Sequence, residues 1–193
     1  MTERAASEHE SWLVLRAQSG DMEALDGLLR AVQDPLYRYI FSLVREASLA
    51  EDVLQEVFMR IYRKLSWLKE PKVFRAWAYQ IATRETFRHL KRERRWTDQV
   101  RDETALKMVS APPPREEFAR EEIERLPQFV ANLSPASRAV IVLYYLHQMS
   151  LDETAAVLEI PLGTVKSRLA YGLESLRREF REREFKQDST EVT

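Results

Sequence analysis

Three groups of residues in this 193-residue chain have the types and spacing for binding chemistry. None has the spacing for making or breaking bonds. His9, His89 and His147 are scattered, and HExxH, Walker A, GxGxxG and paired His/carboxylate metal spacings are absent. A catalytic site needs convergent acid, base and nucleophile. The chain is therefore not expected to be an enzyme, and no metal or cofactor is expected.

The first group is Asp52, Gln55 and Glu56. At helical spacing the two carboxylates stand four residues apart, side by side on an outer face. Such a face is either a solvated helix surface or a dock for a basic partner. The second group is Arg84, Arg88, Lys91, Arg92, Arg94 and Arg95. A cationic helix end complements its own dipole, but this many cations in so short a span suits a phosphate backbone better. The third group follows the turn Ile160-Pro161-Leu162-Gly163: Thr164, Lys166, Ser167, Arg168 and Tyr171. Short hydroxyls and cations at a helix start are what a major-groove reading helix needs. The same helix-turn-helix outline also serves as plain core or as a protein contact.

These groups need helices to carry them, and apolar periodicity supplies helices throughout. A first piece spans about 8–18, with Trp12, Leu13 and Leu15 apolar, and Gly20 stops it. Asp21 caps a helix bearing Ala24, Leu25, Leu28, Leu29 and Val32. Asp34-Pro35 reads as a new cap and first-turn proline, opening a third helix through Val44. Ser48 to Glu51 reads as a capping box for a helix with Val53, Leu54, Val57, Phe58, Ile61, Tyr62 and Leu65 inward. After a break at 66–72, a helix over about 73–96 buries Phe74, Trp77, Ala78, Ile81 and Ala82. Ala-Pro-Pro-Pro closes an aperiodic stretch, giving a flexible linker at 97–115.

Beyond it, Phe118, Ile123, Leu126, Phe129 and Val130 are expected inside. Ser134-Pro135 caps an almost wholly apolar helix to His147. Ser150 to Glu153 forms another capping box. Ala155 and Ala156 are small where two helices approach. Val165, Leu169 and Leu173 point inward from the last helix. The expected architecture is all-α: a helical domain at 8–96, the linker at 97–115, a second helical domain at 116–183, and a disordered tail at 184–193.

Charge follows these divisions. The net charge is −1, yet residues 1–60 hold 6 Lys/Arg against 11 Asp/Glu, while 72–101 hold 9 against 3. An acidic front and a basic second segment imply different partners. There is no cysteine, so disulfide and thiol chemistry are excluded, in keeping with a cytoplasmic location. The longest apolar run, Ala139 to Leu146, is too short for a bilayer, and the polar N-terminus lacks a signal-peptide pattern. No membrane insertion is expected.

Taken together, AEDVLQEVFMRIYRKL with FRAWAYQIATRETFRHLKRERR resembles region 2 of bacterial sigma-70 factors of the extracytoplasmic function group. LSPASRAVIVLYYLHQMSLDETAAVLEIPLGTVKSRLAYGLESLRR resembles their region 4. The resemblance covers roughly residues 10–96 and 118–180, and it implies a minimal two-domain transcription initiation factor. It assigns Asp52, Gln55 and Glu56 to docking on core RNA polymerase, at the β′ coiled coil, with the β flap as a further contact. It makes the 66–72 loop a pocket for a base flipped from the −10 element, with Trp67, Leu68, Lys69 and Glu70 as its candidates. Trp77, Tyr79, Gln80 and Arg84 then face the melting junction, and Arg88, Lys91, Arg92 and Arg95 lie along the DNA backbone.

In region 4 the resemblance puts Thr164, Lys166, Ser167, Arg168 and Tyr171 on the −35 element. Arg84 and Arg88 depart from the Asn and Asp often found there in the family, which strengthens backbone contact. Ala170 and Tyr171 depart from positions that are often larger or basic. Promoter DNA, core polymerase and an anti-sigma protein are the implied partners. The alternative function is a stand-alone helix-turn-helix regulator, which would leave the Asp52–Glu56 face unexplained.

Overall fold

The computed structural model describes residues 3–92, 126 and 130–188, and these are helical with short connections. They form two units, one carried by the helices up to Arg92 and the other by those from Val130 onward. The linker at 97–115, the expected core residues Phe118, Ile123 and Phe129, and Arg94 and Arg95 lie outside the described residues.

The first unit packs four helices. α1 (Glu3–Gln18) buries Val14, whereas Trp12 and Leu15 are exposed, so the inward face is one position away from the one expected. Gly20 turns the chain with φ at +93°, a conformation glycine adopts without steric cost. Asp21 then caps α2 (Met22–Val44), accepting from the amides of Glu23 and Ala24 at 3.0 Å each. The Ala24 amide bond above all, with Arg16 alongside, holds the Asp21 carboxyl below its usual value despite desolvation.

α2 does not break at Asp34-Pro35. Pro35 sits inside one continuous helix, where a missing N–H and ring crowding cost ~3 kcal/mol. One buried face runs past it, from Ala24, Leu25, Leu28 and Val32 to Leu36, Tyr39, Ile40 and Leu43. At ~1.5–3 kcal/mol per large buried side chain, that face outweighs the break.

α3 (Ala47–Lys64) begins before the expected capping box. Glu46 takes the N-cap position, the Ala50 amide bonds its carbonyl at 2.9 Å, and the Ser48 hydroxyl donates to its carboxylate at 3.2 Å. Val53, Leu54, Val57 and Ile61 are buried, but Tyr62 is 57% exposed rather than inside.

Two 3-10 turns, Leu65–Trp67 and Pro71–Val73, lead into α4 (Phe74–Arg92). α4 buries Phe74, Ala78, Tyr79, Ile81, Ala82 and Leu90 against α2 and α3. Tyr39 and Thr83 share a hydroxyl hydrogen bond of 2.8 Å inside this core, and burial pushes the Tyr39 phenol well above its ordinary value.

In the second unit, a 3-10 turn at Val130–Asn132 precedes α5 (Pro135–Ile141), which runs on through a π-type turn at Val142–Leu146. Ser134 caps α5, with Pro135 in its first turn, as the sequence implied. α6 (Leu151–Leu158) opens on a reciprocal capping box: the Ser150 amide donates to the Glu153 carboxylate at 2.8 Å, and the Glu153 amide to the Ser150 hydroxyl at 3.1 Å.

α7 (Leu162–Asp188) carries Val165, Leu169, Leu173 and Leu176 inward. Of the two small residues expected where α6 and α7 approach, Ala155 is half-buried and Ala156 is exposed. Between α5 and α7 the small residue is Gly172, where an added Cβ would stand 2.9 Å from Ile141 Cγ1. α7 also runs through 184–188, expected as tail: from Glu174 to Asp188 it meets neither Gly nor Pro, and its Glu/Arg-rich residues favour helix.

Candidate nucleic-acid and polymerase interfaces

Side chains at 52, 55, 56, 59, 62 and 63 of α3 form one stripe at helical spacing. Asp52, Gln55, Met59, Tyr62 and Arg63 are exposed and Glu56 is half-buried. Met59 and Tyr62 add apolar area to this face; Tyr62 was missed because periodicity assigned it to the core. Asp52, Gln55, Glu56, Met59, Arg60, Arg63, Arg88 and His89 line a shallow groove between α3 and α4.

An ionic network closes the floor of this groove. Glu85 is only 5% exposed, and it pairs with Arg60 from α3 and with Arg88, whose Nη2 lies 2.5 Å from Glu85 Oε2. Arg88 also pairs with Glu56, and His89 Nε2 stands 3.2 Å from Glu56 Oε1. Desolvation raises the Glu56 carboxyl, but the His89 hydrogen bond and the His89 and Arg88 charges outweigh it and hold the group below its usual value. Glu56 and Arg88, assigned to different partners on sequence grounds, are thus brought together. Glu85 was not singled out, since a lone acid inside a basic run carries no pattern.

The loop between α3 and α4 projects a single large ring. Trp67 is 79% exposed; Lys69 and Glu70 are exposed and Leu68 is half-buried. The Glu70 carboxylate is occupied locally, accepting from the Lys72 amide at 3.4 Å to cap the second turn, with Pro71 in first place.

On α4, Trp77 and Gln80 are half-buried, while Arg84, Arg88, Lys91 and Arg92 are exposed. Tyr79 corrects the expectation that it faces DNA. It is 3% exposed, edge-on to Tyr39 with ring centroids 5.4 Å apart, and burial drives its phenol above the ordinary value. Its ring belongs to the core because it follows Ala78 on the face that meets α2.

In the second unit, Glu159 takes φ +56°, so the left-handed turn residue is Glu159 and not Gly163, which lies inside the first turn of α7. The Pro161 carbonyl accepts from the Thr164 and Val165 amides at 2.9 and 3.1 Å, starting the helix. Lys166 is exposed; Thr164, Ser167, Arg168 and Tyr171 are half-buried. The Ser167 hydroxyl donates to the Gly163 carbonyl at 2.9 Å, which leaves its lone pairs as acceptors. Thr164, Lys166, Ser167 and Arg168 lie within two turns of the helix start at Leu162, whose partial positive charge suits phosphate, and Tyr171 follows one turn after Ser167.

Beneath them Arg138, 4% exposed, donates to the carbonyls of Val130 (2.8 Å), Ala131 (2.7 Å) and Leu133 (2.8 Å). Sequence reading gave no sign of this arginine. Among the described residues no cluster of acids and histidines could hold a metal, and no helix is long and apolar enough to cross a membrane.

Comparison with known proteins gives a family for each of the two units. The family described as Sigma-70 region 2 matches residues 28–96, and Sigma-70, region 4 matches 130–178. The ECF RNA polymerase sigma factor SigW of Bacillus subtilis is 29% identical over 178 residues, covering 88% of this chain and 95% of its own length. The RNA polymerase sigma-H factor of Pseudomonas aeruginosa is 31% identical over 180 residues, covering 88% and 92%.

Two solved structures share the fold. CnrH, in complex with the cytosolic domain of CnrY, aligns with TM-score 0.65 at 24% identity over 90% of this chain and 98% of its own. The sigma factor RpoE of Bartonella quintana, in complex with the anti-sigma factor NepR, aligns with TM-score 0.61 at 21% identity over 81% and 96%.

Proposed function

We propose how the surfaces of this chain divide its work, from the premise that it belongs to the sigma-70 family, in the extracytoplasmic function (ECF) group. It directs RNA polymerase to promoters, and it does so by binding rather than by catalysis.

The α3 stripe of Asp52, Gln55 and Glu56, widened by Met59 and Tyr62, docks on core polymerase at the β′ coiled coil. Carboxylates steer the encounter, and the thioether and ring supply desolvated contact. The second unit meets the β flap and reads the −35 duplex through Thr164, Lys166, Ser167, Arg168 and Tyr171. Trp67, flanked by Leu68, Lys69 and Glu70, captures a base flipped from the −10 element. Trp77, Gln80 and Arg84 face the melting junction, and Arg88, Lys91 and Arg92, followed by Arg95, track the backbone.

The observation that carries this reading is the exposed Trp67 ring at the foot of a helix whose outer face is cationic. An unpaired base can stack on such a ring while its phosphates meet the arginines. An anti-sigma protein fits as regulator, by analogy with the RpoE–NepR pair, and the chain acts with polymerase in the cytoplasm.

Run-off transcription with core polymerase and a promoter library tests this. Transcripts should start at a fixed distance from one recurring −35/−10 pair. Replacing Asp52, Gln55 and Glu56 together by Ala should abolish transcripts and core binding while helicity is retained. If the wild-type chain yields no promoter-dependent transcript and does not bind core, the assignment fails.

A further inference from the structure

Gln18 belongs to none of these surfaces. It is the last residue of α1 and half-buried. Its side-chain nitrogen donates to two backbone carbonyls of the loop between α3 and α4: Leu65 O at 2.8 Å and Leu68 O at 2.8 Å. Both acceptors are carbonyl oxygens, so chemistry alone requires the amide nitrogen, rather than its oxygen, to face them. The two carbonyls flank the turn that carries Trp67.

The turn has one internal bond of its own, from the Leu68 amide to Leu65 O at 3.1 Å. Leu68 is extended, with ψ at 104°, so its carbonyl has left the helical ladder. An isolated turn of this kind is easily remodelled. The Gln18 amide ties its start to its exit, and the Glu70–Pro71 cap secures the far side of the loop.

α1 itself is anchored as a brace. Val14 is fully buried, Arg16 pairs with Asp21, and Glu10 Oε2 lies 2.7 Å from Arg75 Nη2 at the start of α4. A large apolar ring held in water this way is organised before any ligand arrives, which reduces the ordering cost of binding.

We infer that Gln18 is a positioning residue for −10 base capture: its bridge between the Leu65 and Leu68 carbonyls sets the height and orientation at which Trp67 meets the flipped base. The inference rests on the base-capture reading of Trp67 above. Gln18 touches no DNA in this scheme; it acts through the loop backbone.

The test uses the holoenzyme reconstituted from core polymerase and the full chain. Its template is the promoter recovered from the run-off library, intact or with single abasic sites along the non-template −10 strand. Open-complex formation is followed by permanganate reactivity. Wild type should slow by roughly tenfold at one abasic position, the scale of a lost base–aromatic stack.

Gln18→Met and Gln18→Glu keep the length of the side chain and remove its donors. They should slow opening on the intact promoter by a similar factor and no longer respond to that abasic site. Gln18→Lys, which retains N–H donors, should recover most of the rate and the response. Core affinity and thermal melting should change little in all three.

If Gln18→Met opens the intact promoter at the wild-type rate with the wild-type abasic penalty, the inference is overturned. It is equally overturned if Gln18→Met slows intact and abasic templates by the same factor, since that marks general loss of structure. If wild type itself responds to no abasic position, the base-capture reading of the loop fails first, and this inference with it.

Discussion

Glu85 in the first unit and Arg138 in the second are both charged and both almost wholly inside, at 5% and 4% exposure, and one ties helices together through side chains while the other also holds backbone. Glu85 is met by side chains, Arg60 from α3 and Arg88 from its own helix, and Arg88 continues to Glu56 on the outer stripe of α3. Arg138 is met by three backbone carbonyls of the segment just before α5. A side-chain network can exchange partners when another charge arrives. A guanidinium that bridges three backbone carbonyls also fixes the course of its segment. The first unit thus joins α3 and α4 through side-chain charges, while in the second a buried guanidinium braces the segment before α5, a platform for α7.

The sharpest way to break this contrast is Arg138→Met. It leaves the carbonyls of Val130, Ala131 and Leu133 without their buried donor, which should cost about 3 kcal/mol or more. Hydrogen exchange should accelerate across α5 and α7 while α3 keeps its protection; unchanged α5 exchange would refute the platform role.

Glu85→Gln should cost about 1–3 kcal/mol in the first unit, read from urea unfolding. Because its partners are side chains, the double variant Arg60→Met with Glu85→Leu should regain much of that loss, as apolar replacement of a buried pair often does. If no apolar pair restores stability, the two buried charges are alike after all.

Gly172→Ala tests the platform sterically. The new methyl meets Ile141, and overpacking of about 1–3 kcal/mol should exceed the gain of up to ~1 kcal/mol in helix propensity. A lowered melting temperature is the expected result.

The smallest effect belongs to Glu56→Gln, a few tenths of a kcal/mol at neutral pH for so exposed a pair. Its sign with pH is definite. The Glu56 carboxyl is lowered in the folded chain from a reference value of 4.5, so its contribution is present above that value and lost as pH falls through the folded one. Wild type and variant should therefore differ in stability at pH 7 and converge in acid.

Much of this molecule is local, and what is local is legible in sequence. Asp21, Ser134-Pro135 and the Ser150–Glu153 box cap the helices they announce, because a cap is satisfied within three residues. The inward faces of α3 and α7 follow from helical spacing, and the polar stripe at 52–56 and the cationic face of α4 follow from their complements.

The remainder depends on how helices cross. Pro35 inside α2 is tolerated only because Leu36, Tyr39 and Ile40 beyond it pack into the same core. Tyr62 faces water and Tyr79 the interior because contact with α2 and α4, rather than spacing along one helix, decides which flank of a stripe is covered. The Gln18 bridge joins residues 47 and 50 positions apart, and Glu56 meets Arg88 and His89 at 32 and 33. Periodicity carries no information about such pairs. Sequence alone determined that the chain is helical, the caps at Asp21, Ser134 and Ser150, and the charge of the helix faces. Tertiary packing decided which of those charges are already paired and which loop carbonyls Gln18 bridges, because these depend on distances between elements that no single helix encodes.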